Sequence, residues 1–420
     1  MDSIINPGAS QFELPLARSH TNAAGTLLIH SYLPIAAFYF FFNHAGLPIG
    51  LFYTTLLSPF LFLWLYLKGR RWLTAKFLMV LSPFIVAHIA LGIPDPMNYA
   101  RTLLHWWTVY IAVYAICWSL KKCWGFDRLL DQLIFLNFCA AIIALVIRPT
   151  PMRSFLWMDT DPFTGGALHL LRLNLFTHEP SAYAELMLPL LVFAALRLIR
   201  NGKKRGMVYL LMITLPFLLC QSFGGISIGV AGIGVSLLTG YRHLLRGSKS
   251  RFIFLFLAVS MSAMLLTPNQ ISRRVSQVVT GADGSANSRT TSAYIAAYTI
   301  ASSKSLWWGA GISQTKTFDF SDLGLGLTAG STPNEAATVF AEFGLFGLLA
   351  MLVVETYLVF KTRVYQDSFR IAMFVVAFIN QFVGSFPTDV QQYLMWFLAF
   401  YTFLPEFNLR NNGKSEAAPS

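Results

Sequence analysis

Runs of about 20 apolar residues, each long enough to cross a bilayer as a helix, recur from one end of this chain to the other. In a hydrocarbon layer every backbone amide must find its partner within its own segment, so runs of that length become helices. Only 12% of the 420 residues are charged and 55% are hydrophobic, with a mean hydropathy of +0.56. A soluble domain carries roughly 25% charged residues. There is too little charge here to coat a water-exposed surface, which excludes an ordinary soluble enzyme. The 37 Phe and 10 Trp suit side chains facing lipid and its interfaces.

The expected fold is therefore all-α and polytopic. About twelve transmembrane helices are predicted near 24–43, 47–67, 74–92, 101–120, 129–147, 182–199, 207–221, 224–240, 252–267, 335–360, 368–384 and 389–406. They make one transmembrane domain, 24–406, between a cytoplasmic segment 1–23 and a cytoplasmic tail 407–420, whose end, Asn411–Ser420, reads as disordered. Residues 1–23 hold Glu13 and Arg18 and do not read as a cleavable signal peptide. Cys117, Cys123, Cys139 and Cys220 lie in or beside apolar runs without metal-ligand spacing and read as buried thiols.

The net charge of +12 would suit a phosphate polymer if it formed one patch, but its distribution follows topology. Most of the 31 Lys and Arg lie in connections after even-numbered spans, from Lys68, Arg70 and Arg71 through Arg197–Arg205 to Arg410 and Lys414. By the positive-inside rule those connections and both termini are cytoplasmic, and no nucleic-acid partner is expected. On the other side fall Arg101, Arg148, Arg153, Arg172, Arg273, Arg274, Arg289, Lys304 and Lys316. All but Arg101 belong to two long outer loops, about 148–181 and 268–334. Long loops among short connections carry function. A transporter, the rival reading, would keep its chemistry near the midplane on broken helices.

The first outer loop gathers Arg148, Arg153, Asp159, Asp161, Arg172, Asn174, His178 and Glu179 where the chain re-enters the membrane. Arg172 and Glu179 are seven residues apart, two turns if the segment is helical, so a guanidinium and a carboxylate could share one face. The alternative is an interfacial helix with an exposed ion pair. Asp159 and Asp161 lack the further ligands a cation site needs, and no metal is assigned. In the second loop Arg273 and Arg274 precede a Gly281–Gly284 turn, and Ser288–Ala301 has the pattern of an interfacial amphipathic helix with Arg289 at its start and Tyr294 within it. A cation beside free backbone N–H groups fits a bound anion such as a phosphate; a solvent-exposed arginine is the alternative.

These features in this order resemble the bacterial O-antigen polymerase and O-antigen ligase superfamily. The resemblance covers most of the chain. It rests on Glu179-Pro180-Ser181 opening a span and on Ser222-Phe-Gly-Gly225 in a membrane turn. Arg289 then leads to Leu306-Trp-Trp-Gly309-Ala-Gly311, and Pro333-Asn334 to Glu342-Phe-Gly344-Leu-Phe-Gly347. Ligases of the superfamily place a His before the Asn where this chain has Pro333, so the Wzy-type polymerases are the better match.

The resemblance implies a multi-span, GT-C-like glycosyltransferase of the bacterial inner membrane, active at its periplasmic face in lipopolysaccharide O-antigen or related polysaccharide biosynthesis. It would join undecaprenyl-pyrophosphate-linked oligosaccharides by inverting transfer, without a cofactor, among membrane lipids and with a chain-length regulator protein as a partner. A ligase delivering polysaccharide to lipid A core, or a lipid-linked oligosaccharide flippase, are the alternatives. Arginine suits the leaving pyrophosphate because it stays charged and binds phosphate oxygens bidentately. Arg289 and Arg172 are the catalytic arginines expected, and Glu179 is the base, with His178 and Glu342 as alternatives. Arg273, Arg274, His178, Asn334, Tyr294 and Ser222 are expected to bind substrate.

Overall fold

A computed structural model describes residues 46–47, 51–121, 125–160, 170–175, 177, 179–201, 204–240, 276, 280, 284–318, 332–384 and 387–409. The expected spans 24–43 and 252–267 lie outside them. After a two-residue strand pair, β1 (Gly46–Leu47) and β2 (Leu51–Phe52), come helices α1 (Tyr53–Leu67), α2 (Leu73–Ala90), α3 (Pro96–Lys121) and α4 (Phe126–Ile147). Then follow β3 (Trp157–Thr160), β4 (Leu170–Leu173), α5 (Pro180–Asn201), α6 (Lys204–Leu219) and α7 (Phe223–Gly240). The second half holds α8 (Gly284–Arg289), α9 (Thr291–Lys304), α10 (Glu335–Thr362), α11 (Ser368–Val383) and α12 (Val390–Phe400).

Five of these, α2, α3, α4, α5 and α10, are long and apolar enough to cross a membrane, and α1, α6, α7 and α11 are shorter apolar helices. The described chain is thus a predominantly helical membrane protein. The expected span 389–406 is helical only over Val390–Phe400, because Tyr401 is extended and a 3-10 turn begins at Pro405. Side chains start several of the helices, including the last three. Asn334, Asp367 and Asp389 each accept a backbone N–H from the first turn of α10, α11 and α12, filling donors that a helix start leaves open.

Helix α5 is the central element: 78% of its apolar window is buried, against 11% for α2, whose Met79, Val80 and Val86 face outward. Tyr183 and Phe193 of α5 pack with Leu129, Leu130, Leu133 and Ile134 of α4 and with Phe369 and Phe407. The one hydroxyl this brings inside is satisfied, since Tyr183 donates to Asn137 Oδ1 at 2.8 Å. Helix α7 packs tightly through small residues. A Cβ on Gly225 would lie 2.9 Å from Ala184 of α5, and one on Gly232 would lie 2.7 Å from Val376 of α11. Such bare faces let helices approach where lipid supplies no hydrophobic drive.

The bundle has two distinct ends. At one, Arg197 of α5 pairs with Asp131 of α4 at 2.6 Å, and Arg70 lies over the Trp118 ring. Arg370, only 5% exposed, donates there to the carbonyls of Thr362, Ala399 and Phe400 and to Thr402 Oγ1. It thereby closes the C-termini of α10 and α12 together. Phe407 is buried and Leu409 N–H bonds Gln366 O, so the first residues of the expected tail belong to the fold.

The opposite end carries the segments that the sequence marks as functional, with two corrections. Residues 157–173 contain an antiparallel pair, Met158 opposite Arg172, so Arg172 and Glu179 do not share a helical face. The predicted helix 288–301 is two helices joined at Thr290, and Arg289 ends the first rather than starting the second. Helix α9 packs by small residues, Ala293, Ala296, Ala297 and Ala301, with Ala337 and Ala341 of α10 beside it, while Ile295 and Tyr298 face out.

Candidate functional site

Glu179 is set by a tight turn. Thr177 Oγ1 donates to the carbonyls of Asn174 and Glu179, and the Asn174 amide donates back to Thr177 O at 2.9 Å. Pro180 then begins α5, so Glu179 sits at the N-terminus of the most buried helix in the bundle, where the helix dipole favours a carboxylate. The strand pair that delivers this turn is itself anchored, because Trp157 Nε1 donates to Ala144 O of α4.

Arg289 reaches the same place from 110 residues further along the chain. Its Nη2 lies 3.5 Å from Glu179 Oε1, and the two side chains keep 34% and 39% of their exposure, so the pair is accessible to a ligand. Its main chain is fixed by Asn334, whose Nδ2 donates to Arg289 O at 2.6 Å while Oδ1 accepts Ala337 N–H. Asn334 is fully buried, and its amide ties the Arg289 backbone to the first turn of α10.

The remaining expected residues separate into three groups. Arg172 stands on β4 and its Nε donates to Cys220 O at 2.9 Å, capping the last turn of α6. Ser222, 5% exposed, accepts Gly225 N–H and caps α7. Tyr294 has an enclosed hydroxyl with no hydrogen bond among the described residues, and burial pushes it up to about 12. His178, Asp161, Arg273 and Arg274 lie outside the described residues. Glu342 is 4% exposed and accepts Ser313 N–H at 2.8 Å, inside the contact between the Trp307–Ser313 turn and α10.

No family model and no curated protein matches the chain. The site's own geometry therefore carries its functional meaning.

A part-exposed guanidinium paired with a carboxylate has the chemistry to bind an anion in that partner's place. An incoming phosphate can take Arg289 bidentately and release Glu179 beside it. Two further polar groups lie near Arg289 at Gly384, Glu185 on α5 and Asn380 on α11, with Gln392 of α12 bonded behind Asn380, and none of them has a role expected from the sequence. The signal existed, because Glu185, Asn380, Gln381, Gln391 and Gln392 interrupt otherwise apolar runs, and polar residues within spans mark functional sites.

Proposed function

We propose that this protein is a glycosyltransferase that polymerises lipid-linked oligosaccharide repeat units, with undecaprenyl pyrophosphate as the leaving group. The observation that supports this reading is the Arg289–Glu179 pair at the end of the bundle opposite its basic end. In the proposed topology the chain crosses the inner membrane about twelve times in a GT-C-like arrangement, its termini are cytoplasmic, and the pair faces the periplasm.

The donor pyrophosphate engages Arg289 and parts it from Glu179. An acceptor sugar hydroxyl then attacks the anomeric carbon of the donor chain from the face opposite the pyrophosphate. The carbon–oxygen bond to pyrophosphate breaks with inversion, Arg289 stabilises the charge growing on the leaving oxygen, and Glu179 takes the hydroxyl proton. Arg172 supports this indirectly, by tying the strand pair before Glu179 to the α6–α7 turn.

The test is incubation of purified protein with lipid-linked oligosaccharide, alone and with lipid A core. A product ladder without lipid A is the result expected. Transfer to lipid A only would assign a ligase, and movement of the substrate across vesicles with no new product would assign a flippase.

A further inference from the structure

Gly384, just beyond the end of α11, has φ −165, outside the left-handed region that favours glycine, so its missing side chain chiefly supplies space. A Cβ there would lie 3.3 Å from Asn380 Oδ1, 3.6 Å from Glu185 Oε1 and 3.7 Å from Arg289 Nη1. Three polar side chains from three segments thus border one point. The arrangement is held from behind. Asn380 Nδ2 is shared between Glu185 Oε2 at 3.4 Å and Gln392 Oε1 at 3.1 Å, and Gln392 Nε2 donates to Ala377 O at 2.8 Å. That chain fixes which end of the Asn380 amide faces Gly384.

The chemistry of the point discriminates between ligands. Two of its three bordering atoms are acceptors, one of them a carboxylate oxygen, and one is a guanidinium donor. A phosphate oxygen would be repelled by the first two. A hydroxyl, with one proton to give and lone pairs to receive, can serve all three. The same guanidinium faces Glu179 through its other terminal nitrogen, so a hydroxyl held here lies next to the proposed reaction centre.

We propose that Glu185, Asn380 and the space over Gly384 form an acceptor subsite that grips a sugar hydroxyl of the lipid-linked saccharide. This deepens the transferase reading and rests on it for the identity of the reaction, but saccharide binding can be measured without turnover. The subsite would be separate from the anion site in function while sharing Arg289, and Glu185 would act in binding where Glu179 acts in proton transfer.

The experiment uses the full chain in nanodiscs, as wild type, Glu185→Gln, Gly384→Ala and the control Gly224→Ala, whose added methyl meets nothing within 4 Å. One probe is undecaprenyl pyrophosphate. The other is the lipid-free oligosaccharide released by mild acid from the lipid-linked pool of the source cells. Glu185→Gln and Gly384→Ala should weaken oligosaccharide binding about tenfold or more, leave undecaprenyl pyrophosphate within about threefold, and raise the acceptor KM. Glu185→Gln is isosteric and half-exposed at most, so it decides the matter if Gly384→Ala fails to fold. Unchanged oligosaccharide binding in Glu185→Gln overturns the subsite, as does an equal loss of undecaprenyl pyrophosphate. Glu185-dependent saccharide binding by a wild type that forms no polymer would keep the subsite and sink the transferase reading. Polymer formed by Glu185→Gln at the wild-type KM would do the reverse.

Discussion

Gly344→Ala should unlock the clasp that holds α9, and with it Arg289, against α10. At this point α10 leaves helical geometry, with Gly344 at φ 66 and ψ −163, a region essentially closed to residues with a Cβ. The turn after α9 crosses here at backbone contact. Ala310 and Gly311 donate to the carbonyls of Ala341 and Glu342, and Leu345 and Phe346 donate to those of Leu306 and Trp307. A Cβ on Gly344 would lie 2.4 Å from the Trp307 carbonyl carbon and 2.6 Å from Gly309 N, where only backbone could give way. The unfavourable φ and ψ cost about 1–3 kcal/mol, and two parted hydrogen bonds add about 1 kcal/mol each, for a total of about 3–5 kcal/mol. Gly224→Ala is the matched control at a position with no neighbour to strike. The assay is the fraction of monodisperse protein that survives heating in detergent, followed by size-exclusion chromatography. Gly344→Ala should fall well below wild type and Gly224→Ala should not. Equal survival of the two variants would refute the reasoning.

Glu179→Gln should lower polymer formation roughly 100-fold while undecaprenyl pyrophosphate still binds and thermal survival is unchanged; an exposed pair at 3.5 Å contributes only about 0–1 kcal/mol to stability, so retained turnover removes Glu179 as the base. Arg289→Lys keeps the charge but not the fork, and most donor-lipid binding should be lost; binding equal to wild type would take Arg289 out of the anion site. Arg370→Met leaves four acceptors at the basic end without their buried cation, at a cost of about 3–5 kcal/mol, and heat survival that matches wild type would contradict this. Asp367, buried and capping α11, is raised from 3.8 to about 6 chiefly by desolvation. The folded chain therefore holds this proton more tightly than the unfolded one, and the stability it gives is full below about 4 and lost as pH rises through about 6. Heat survival should drop between pH 4 and pH 6 more in wild type than in Asp367→Asn; equal pH profiles for the two would contradict the assignment.

Glu179 and Arg289 both stand out in the sequence, yet the structure places each differently from the expected arrangement and pairs them with one another. Spacing paired Glu179 with Arg172 on a helix, whereas a strand pair intervenes and Arg172 is drawn to Cys220 O. Asn334 looked like a ligand-binding residue beside a span, and it is the buried tie that sets the Arg289 backbone. Glu185, Asn380 and Gln392 gave no spacing pattern at all, because the three stand on three helices.

The sequence by itself determined the membrane class and most helix positions within the described residues. Those properties are local: a run of apolar side chains forces its own backbone into a helix. Only the tertiary structure decided which polar groups meet. Glu179, Glu185, Arg289, Asn380 and Gly384 converge because small residues on α7, the α9–α10 clasp and the Asn334 tie fix how segments far apart in the chain cross. Such crossings depend on contacts between elements, which no periodicity within any one element records.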